Sequence, residues 1–251
     1  MDRTRTLALV FSLLPALAGA DTLGVRIGTS YWNYDISGSV RYRSSNSSDD
    51  IDVNRDLGYD DDQLVYLYAV LEHPLPFLPN IRVSRTRTDV DANGRLSRTV
   101  VYGDVTFVAN EDVSSKVRLD QTDITLYYRL LDKVVSLDLG INAKYLDSKG
   151  RISGSLSGSE SADVSGWAPM LYAGTGVDLP LTGLSLGADG SAVKYRGSTL
   201  YDYSVHASYT TPWHLGIDAG YRAVKLDLDD FNNSYADIEL DGPYVGAYLH
   251  F

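Results

Sequence analysis

Apolar and polar side chains take turns along most of this chain, most cleanly from Val134 to Tyr145. There Val135, Leu137, Leu139, Ile141 and Ala143 share one face, and Ser136, Asp138, Gly140, Asn142 and Lys144 share the other. A period of two marks an extended strand with one oily side. From Thr22 to Tyr34, Leu23, Val25, Ile27 and Tyr31 lie opposite Gly24, Arg26, Gly28 and Ser30. From Gln63 to His73, Val65, Leu67, Ala69 and Leu71 lie opposite Tyr66, Tyr68 and Glu72. From Thr122 to Leu131, Ile124, Leu126, Tyr128 and Leu130 lie opposite Asp123, Thr125, Tyr127 and Arg129. Trp167 to Leu179 sets Leu171, Ala173 and Val177 against Tyr172, Gly174 and Asp178. Leu184 to Tyr195, Tyr201 to Thr210, a ninth span with Leu215, Ile217, Ala219 and Tyr221 against Asp218 and Arg222, and Ala236 to Phe251 complete the series.

Two places break the rhythm. Between Asn80 and Thr88, Arg85 and Arg87 share the parity of Ile81 and Val83. A bulge there, or an early exit from the oily zone, is predicted. Around Gly242-Pro243 the apolar parity changes from Ile238 and Leu240 to Val245 and the odd residues after it, and a bulge is predicted again.

The spans number ten, and the links between them alternate in length. Links at 74–79, 132–133, 180–183 and 211–213 are short; those at 35–62, 89–121, 146–163 and 228–235 are mostly long and polar, with a brief one near Gly197. Even strand number, spans of about 9–11 residues and long loops at one end only are the pattern of a transmembrane barrel. The expected fold is all-β: an antiparallel up-and-down transmembrane β-barrel of about ten strands. Counts of eight or twelve stay open, because boundaries read from pattern carry an error of about 2–4 residues. A soluble β-sandwich also has many short strands, but nothing in it requires loops to alternate in length.

The N-terminus changes the picture by adding an address. Arg3 and Arg5 precede an apolar run from Leu7 to Leu17, followed by Ala18, Gly19 and Ala20. This is the layout of a secretory signal peptide, with cleavage expected before Asp21. The domain reading is residues 1–20 as signal and 21–251 as barrel. With no Cys the chain offers no disulfide, no lipid-anchor thioether and no thiolate chemistry. The net charge is −11; residues 1–20 carry +1 (Arg3 and Arg5 against Asp2), so the remainder carries −12. That excess argues against nucleic acid as a partner. Nineteen Tyr and three Trp suit a barrel with aromatic girdles.

The segments GVRIGTSYWNYDISG, EHPLPFLPN and DITLYYRLLDKVVSLDLGINAKYLD, with the terminal strand YVGAYLHF, resemble a family of proteobacterial outer-membrane β-barrel proteins of uncharacterised function. The similarity covers the whole chain after the signal, and reaches more distantly to the small OmpW and OmpA barrels. It implies location in the cell outer membrane, a monomer, contact with outer-membrane lipid and lipopolysaccharide, and insertion by the barrel-assembly machinery. Tyr244, Val245, Ala247, Leu249 and Phe251 would form the assembly signal. The resemblance carries no activity and no cofactor.

Candidate chemistry is confined to the polar faces. Arg26, Arg129, Lys144 and Arg222, with Arg82 from the irregular span, meet Glu72, Asp123, Asp138, Asp178, Asp189 and Asp218. Five cations against six anions in a narrow lumen predict a charge-paired filling, with a narrow water-filled pore as the alternative. His206 shares the polar face, and a hairpin folding about 197–198 would put Asp189 opposite it. Such a pair could be half of a hydrolytic dyad, as in ten-stranded outer-membrane proteases, though no second acidic pair accompanies it. Asp50, Asp52, Asn54, Asp56 and Asp61 have calcium-loop spacing, but Arg55 stands where the loop needs glycine. Asp89, Asp91, Asn93 and Gly94 begin the same spacing, but Val100 ends it, and an Asn-Gly hairpin turn accounts for them. Tyr31, Trp32, Trp167, Trp213 and Tyr221 read as interfacial anchors. No phosphate loop, nucleophile elbow or zinc spacing is present. The reading is a non-enzymatic outer-membrane barrel with a structural or surface-interaction role; the alternatives are a small-solute pore and a surface hydrolase.

Overall fold

The computed structural model describes residues 23–42, 49–75, 77–231 and 234–251; the signal segment, residues 1–20, lies outside them. The strands are β1 (Gly24–Tyr42), β2 (Ile51–Asp52), β3 (Asp62–Glu72), β4 (Asn80–Arg95), β5 (Val100–Tyr102), β6 (Val105–Phe107), β7 (Asp112–Asp132), β8 (Val135–Gly154), β9 (Gly158–Leu179), β10 (Leu184–Tyr195), β11 (Ser198–Thr210), β12 (Leu215–Phe231) and β13 (Ser234–His250). Ten of these pair antiparallel in the order β1-β3-β4-β7-β8-β9-β10-β11-β12-β13, and β13 returns to β1. The ring closes through Arg26↔His250 to Tyr42↔Ser234, and the Phe251 and Val25 amides exchange hydrogen bonds of 2.9 Å at the base. Closure leaves the barrel without a free edge around its lower half, so each strand there has a hydrogen-bonded neighbour on both sides.

The end that holds both termini is here called the lower end. Above it, the outward residues form a belt of exposed apolar side chains: Ile27, Val65, Leu67, Ile81, Val83, Ile124, Leu139, Ile141, Leu171, Leu186, Val205, Ile217 and Val245. The inward residues at the same height are charged, small or tyrosine. The belt is about one bilayer core tall.

Most strands outrun this belt. β7, β8 and β9 are 21, 20 and 22 residues long. The stretches 89–121 and 146–163, expected as loops, are therefore mostly strand, and the upper link of β8 to β9 is only residues 155–157. In the link 228–235 the described residues, 228–231 and 234–235, are likewise strand. By contrast β10 and β11 have 12 and 13 residues and turn early, through Arg196 (φ 50°) and Gly197 (φ 95°). Positive φ at both central residues is what a tight two-residue hairpin turn requires.

Neither predicted bulge is present. β4 pairs with β7 without a break from Asn80↔Tyr127 to Arg95↔Asp112, and β13 with β12 without a break from Leu249↔Leu215 through Gly242↔Arg222 to Ala236↔Leu228. The register holds and the oily side changes instead. Below, Val245 and Leu249 face out; above Gly242, Ile238 and Leu240 face in and pack in apolar clusters, while Asp237, Glu239 and Asp241 face out. On β1 the same exchange takes Ile27 and Tyr31 outside and Ile36, Val40 and Tyr42 inside. On β4, Ile81 and Val83 are outside and Val90, Ala92 and Leu96 inside, so Arg85 and Arg87 mark an early exit from the belt. The exchange follows from the environment. Where the outside turns from apolar to aqueous, the side chains best buried are those pointing inward.

The upper half is therefore a dome with its own core. Ile51, Val53, Leu57 and Tyr59 from the first upper loop meet Leu96, Val100, Tyr102 and Phe107 from the second, against Ala92, Val113 and Ile152 of the wall. Asn93 and Gly94, expected at a hairpin turn, lie inside β4 opposite Ser114 and Val113. Gly94 is needed there because a Cβ would stand 2.4 Å from the Asp56 carbonyl oxygen. Gly58, at φ 76°, faces the same contact from the loop side.

Candidate functional site

The lumen is filled in layers. At the base a cavity of about 440 Å³ opens at the lower mouth, bordered by Glu72, Arg129, Asp138, Asp178 and His250. Arg129 lines its side: its guanidinium donates to Glu72 at 2.7 and 3.1 Å and to Asp138 at 3.0 and 3.3 Å. The Tyr127 hydroxyl donates to Glu72 at 2.7 Å. β3, β7 and β8 supply these groups because the period of two points every second residue inward.

Above lies a second layer around a cavity of about 110 Å³. Arg82 donates to Asp189 at 3.0 Å, and the Ser204 hydroxyl donates to the same carboxylate at 3.2 Å. Arg82 thus belongs to the network through the uninterrupted parity of β4. Asp189 pairs in register with Ser204, and His206 pairs with Gly187, so the two are diagonal neighbours and not directly opposite. His206 Nδ1 is 3.9 Å from Asp189 and makes no hydrogen bond among the described residues. The two-residue turn sets this register, two residues from the expected one. Asp218 also lines this layer, with one carboxylate oxygen buried and unpartnered among the described residues. Arg26 lies over the Tyr248 ring at 4.8 Å.

The third layer centres on Lys144, whose side chain is 0% exposed. Its ammonium lies 2.9 Å from Asp123 and 3.0 Å from Asp202. Arg222 grips Asp202 at 2.6 and 2.9 Å, and the Asn142 amide donates to Asp123 at 2.7 Å. Arg222 is sandwiched between Trp32 and Tyr66, 4.9 Å from each ring centre. A fourth, apolar layer crosses the lumen just above: Trp32, Tyr34, Leu64, Met170, Leu200 and Val224. Trp32 is no interfacial anchor. It is 3% exposed, faces inward, and donates from its indole to the Gly242 carbonyl at 3.1 Å. Tyr31, Trp167, Trp213 and Tyr221 do face outward.

Of the charges read from the sequence, Glu72, Arg129 and Asp138 meet in one layer, Asp189 and His206 in another, and Asp123, Lys144 and Arg222 in a third. Asp178 stays on the lower rim, exposed, and forms no ion pair among the described residues. Asp202 was missed as a site, although it shares the parity of His206 and Ser204; it is the anion that joins Lys144 to Arg222.

The acidic upper loop is built for packing. Asp52 accepts the Asn54 and Arg55 amides, and the Asn54 side-chain amide donates to the carbonyls of Ile36 and Tyr59. Asp56 is buried against Arg55. Burial pushes its carboxyl up, but Arg55 and the Asp52 amide hold it below the usual range. Asp50 turns to Arg41 at 3.5 Å, so the five residues do not converge on a point. Among the described residues no cluster of three or more acidic, His or Cys side chains could hold a metal ion. Across the dome, Glu111 is 1% exposed, and its carboxylate accepts the amides of Leu156, Ser157 and Val108 and the Ser157 hydroxyl. Burial pushes its carboxyl up, yet these four donors hold it lower than an ordinary glutamate.

No protein-family profile matches the chain, and no characterised protein matches it in sequence. In three dimensions it is similar to the outer-membrane protease OmpT of Escherichia coli, with a TM-score of 0.60 and 11% identity over 93% of this chain and 98% of that one. The translocator domain of the autotransporter NalP of Neisseria meningitidis gives 0.46, with 12% identity over 97% of this chain and 95% of that one. The attachment protein Ail of Yersinia pestis gives 0.37, with 14% identity over 91% and 99%. The likeness to OmpT is one of fold: an antiparallel, closed, ten-stranded outer-membrane-type barrel.

Proposed function

We propose that the chain is an integral protein of the bacterial outer membrane whose lumen is sealed and whose dome faces outward. Its role is structural or surface-interacting, and it is not an enzyme. One observation carries this reading: the Lys144 layer lies directly beneath the apolar layer of Trp32 and Tyr34, with a packed dome above both. Mutually paired charges topped by close-packed rings oppose a continuous aqueous path. The termini would face the periplasm, where short turns belong. The apolar belt would meet lipid, and the outward charges above it would meet lipopolysaccharide. The strand ending at Phe251 would be handed over by the assembly machinery, and the barrel would act as a monomer.

Planar-bilayer recording tests the seal. The refolded protein is expected to give a flat trace at high load, and discrete conductance steps would establish a pore instead. A hydrolase of the kind OmpT represents is disfavoured, because Arg82 occupies Asp189 and leaves His206 Nδ1 without an acid to orient it. An activity lost in His206→Ala, with the barrel still folded, would reverse that judgement.

A further inference from the structure

The wall of the dome is incomplete on one side. β9 pairs with β8 along its whole length, from Gly158↔Gly154 to Val177↔Val135. Its other edge pairs with β10 only from Leu179↔Leu184 to Leu171↔Ala192. Above Leu171 the β9 edge has no backbone partner among the described residues. In an antiparallel pair alternate residues aim both backbone groups away from a given neighbour. Half of the amides and carbonyls between Ser159 and Trp167 therefore point away from β8 and meet no backbone partner among the described residues, along about 30 Å of extended chain.

Natural sheets blunt such edges with lysine, proline, bulges or a covering segment. Here Pro169, which has no amide to offer, stands at the fork where β10 departs. Above it the side chains are Ser159, Glu160, Ser161, Ala162, Asp163, Val164, Ser165 and Gly166. Five of the eight are serine, alanine or glycine, none is lysine or proline, and pairing with β8 shows no bulge. The inward residues Ala162, Val164 and Gly166 are half-exposed, because the short β10–β11 hairpin leaves the wall low beside them.

We propose that this edge is a strand-addition site for an extended segment of another protein outside the cell. The backbone supplies affinity, and the side chains supply a modest code. Small apolar residues of the guest would sit beside Ala162 and Val164. A lysine or arginine would sit on the outer face by Asp163, and the chain's net charge of −11 favours that sign. A second copy is the poorer occupant. Two barrels in one membrane present their β9 strands running the same way with the same edge, which spoils a symmetric antiparallel pairing.

The inference rests on the dome facing outward, as in the proposed function, and its test reads separately from conductance. The probe is a synthetic peptide of about ten residues that alternates valine with threonine and lysine, long enough to match the free edge. The control has the same composition with proline at alternate positions. Hydrogen exchange of the full barrel in detergent is expected to slow at alternate amides between Ser159 and Trp167, with the probe and not with the control. Either Ser161→Pro or Ala162→Pro removes an edge-facing amide, while the other strikes the β8 pairing; the variant whose β8–β9 ladder amides keep their slow exchange is expected to weaken the probe by about tenfold or more. Unchanged exchange at these amides, or equal binding by that variant, overturns the site even if the bilayer trace stays flat. A concentration-dependent dimer that the same variant abolishes would assign the edge to a second copy and overturn the proposed guest.

Discussion

Lys144 on β8 and Asp202 on β11 meet at 3.0 Å across the lumen, although β9 and β10 separate their strands around the wall. With Asp123 on one side of the ammonium and Arg222 on the far side of Asp202, the contact ties four strands into one cross-brace. Lys144→Met leaves the buried Asp123 carboxylate without its cation and Asp202 with Arg222 alone. The expected loss is about 3–5 kcal/mol, the usual cost of stripping one partner from a buried pair. Urea unfolding of the barrel in lipid vesicles measures it. Adding Asp123→Asn, which leaves the Arg222–Asp202 pair intact, is expected to recover much of the loss; no recovery would mean that Lys144 acts by packing alone.

The position of Trp32 can be read by light. A variant with Trp167→Phe and Trp213→Phe keeps Trp32 as its one indole. Its fluorescence is expected to resist both brominated lipid and aqueous iodide, because the ring is 3% exposed and roofed by Arg222 and Tyr34. The complementary variant Trp32→Phe retains two outward indoles and is expected to be quenched by the lipid. Equal quenching of the two would contradict an inward Trp32.

Glu111 gives the dome a pH dependence of known sign. Its carboxyl is held below the ordinary value of 4.5, so its stabilising effect is complete above that value and fades as pH falls through the lower folded-state value. Glu111→Gln is expected to speed amide exchange at Leu156 and Ser157 at neutral pH. The difference from the parent is expected to shrink once both are studied well below pH 4.5, where the parent loses its charge. A difference that grows with acidity would place the effect elsewhere.

Gly94 lets the first upper loop rest on β4. A Cβ 2.4 Å from the Asp56 carbonyl and 2.7 Å from the Leu57 carbonyl carbon cannot be relieved by a side-chain rotation, since both atoms are backbone. Gly94→Val is expected to lift the loop and expose Tyr59, raising its rate of iodination. Heat-modifiable mobility of the barrel is expected to persist, because the lower half is untouched. An unchanged Tyr59 would show that the loop docks without this contact.

The lower half was readable from the sequence because one rule governs it. Oily residues face out, so parity alone placed Glu72, Asp123, Arg129, Asp138 and Lys144 inside, and counting gave the ten strands. The upper half defeated the same rule. Ile238 and Leu240 keep the register of Val245 and Leu249 but answer to a different solvent, and the change of side looked like a bulge. At Arg85 and Arg87 the pattern allowed a bulge or an early exit from the belt, and the early exit is what the structure has. The polar stretches 89–121 and 146–163 looked like loops because a strand with water outside and a partial core inside is mostly polar. The Asp189–His206 register depended on one turn, and a shift of two residues leaves every side chain on its own face, so parity could not detect it.

The dome borrows its floor and walls from the barrel. Leu57 and Phe107 have no core to enter until β4, β7 and β8 stand side by side, since Ala92, Val113 and Ile152 are the surface they pack on. The two upper loops therefore have no fold of their own to acquire beforehand. In the orientation proposed above they would cross the membrane as open chain and wait there, so that the outermost part of the molecule would take shape last.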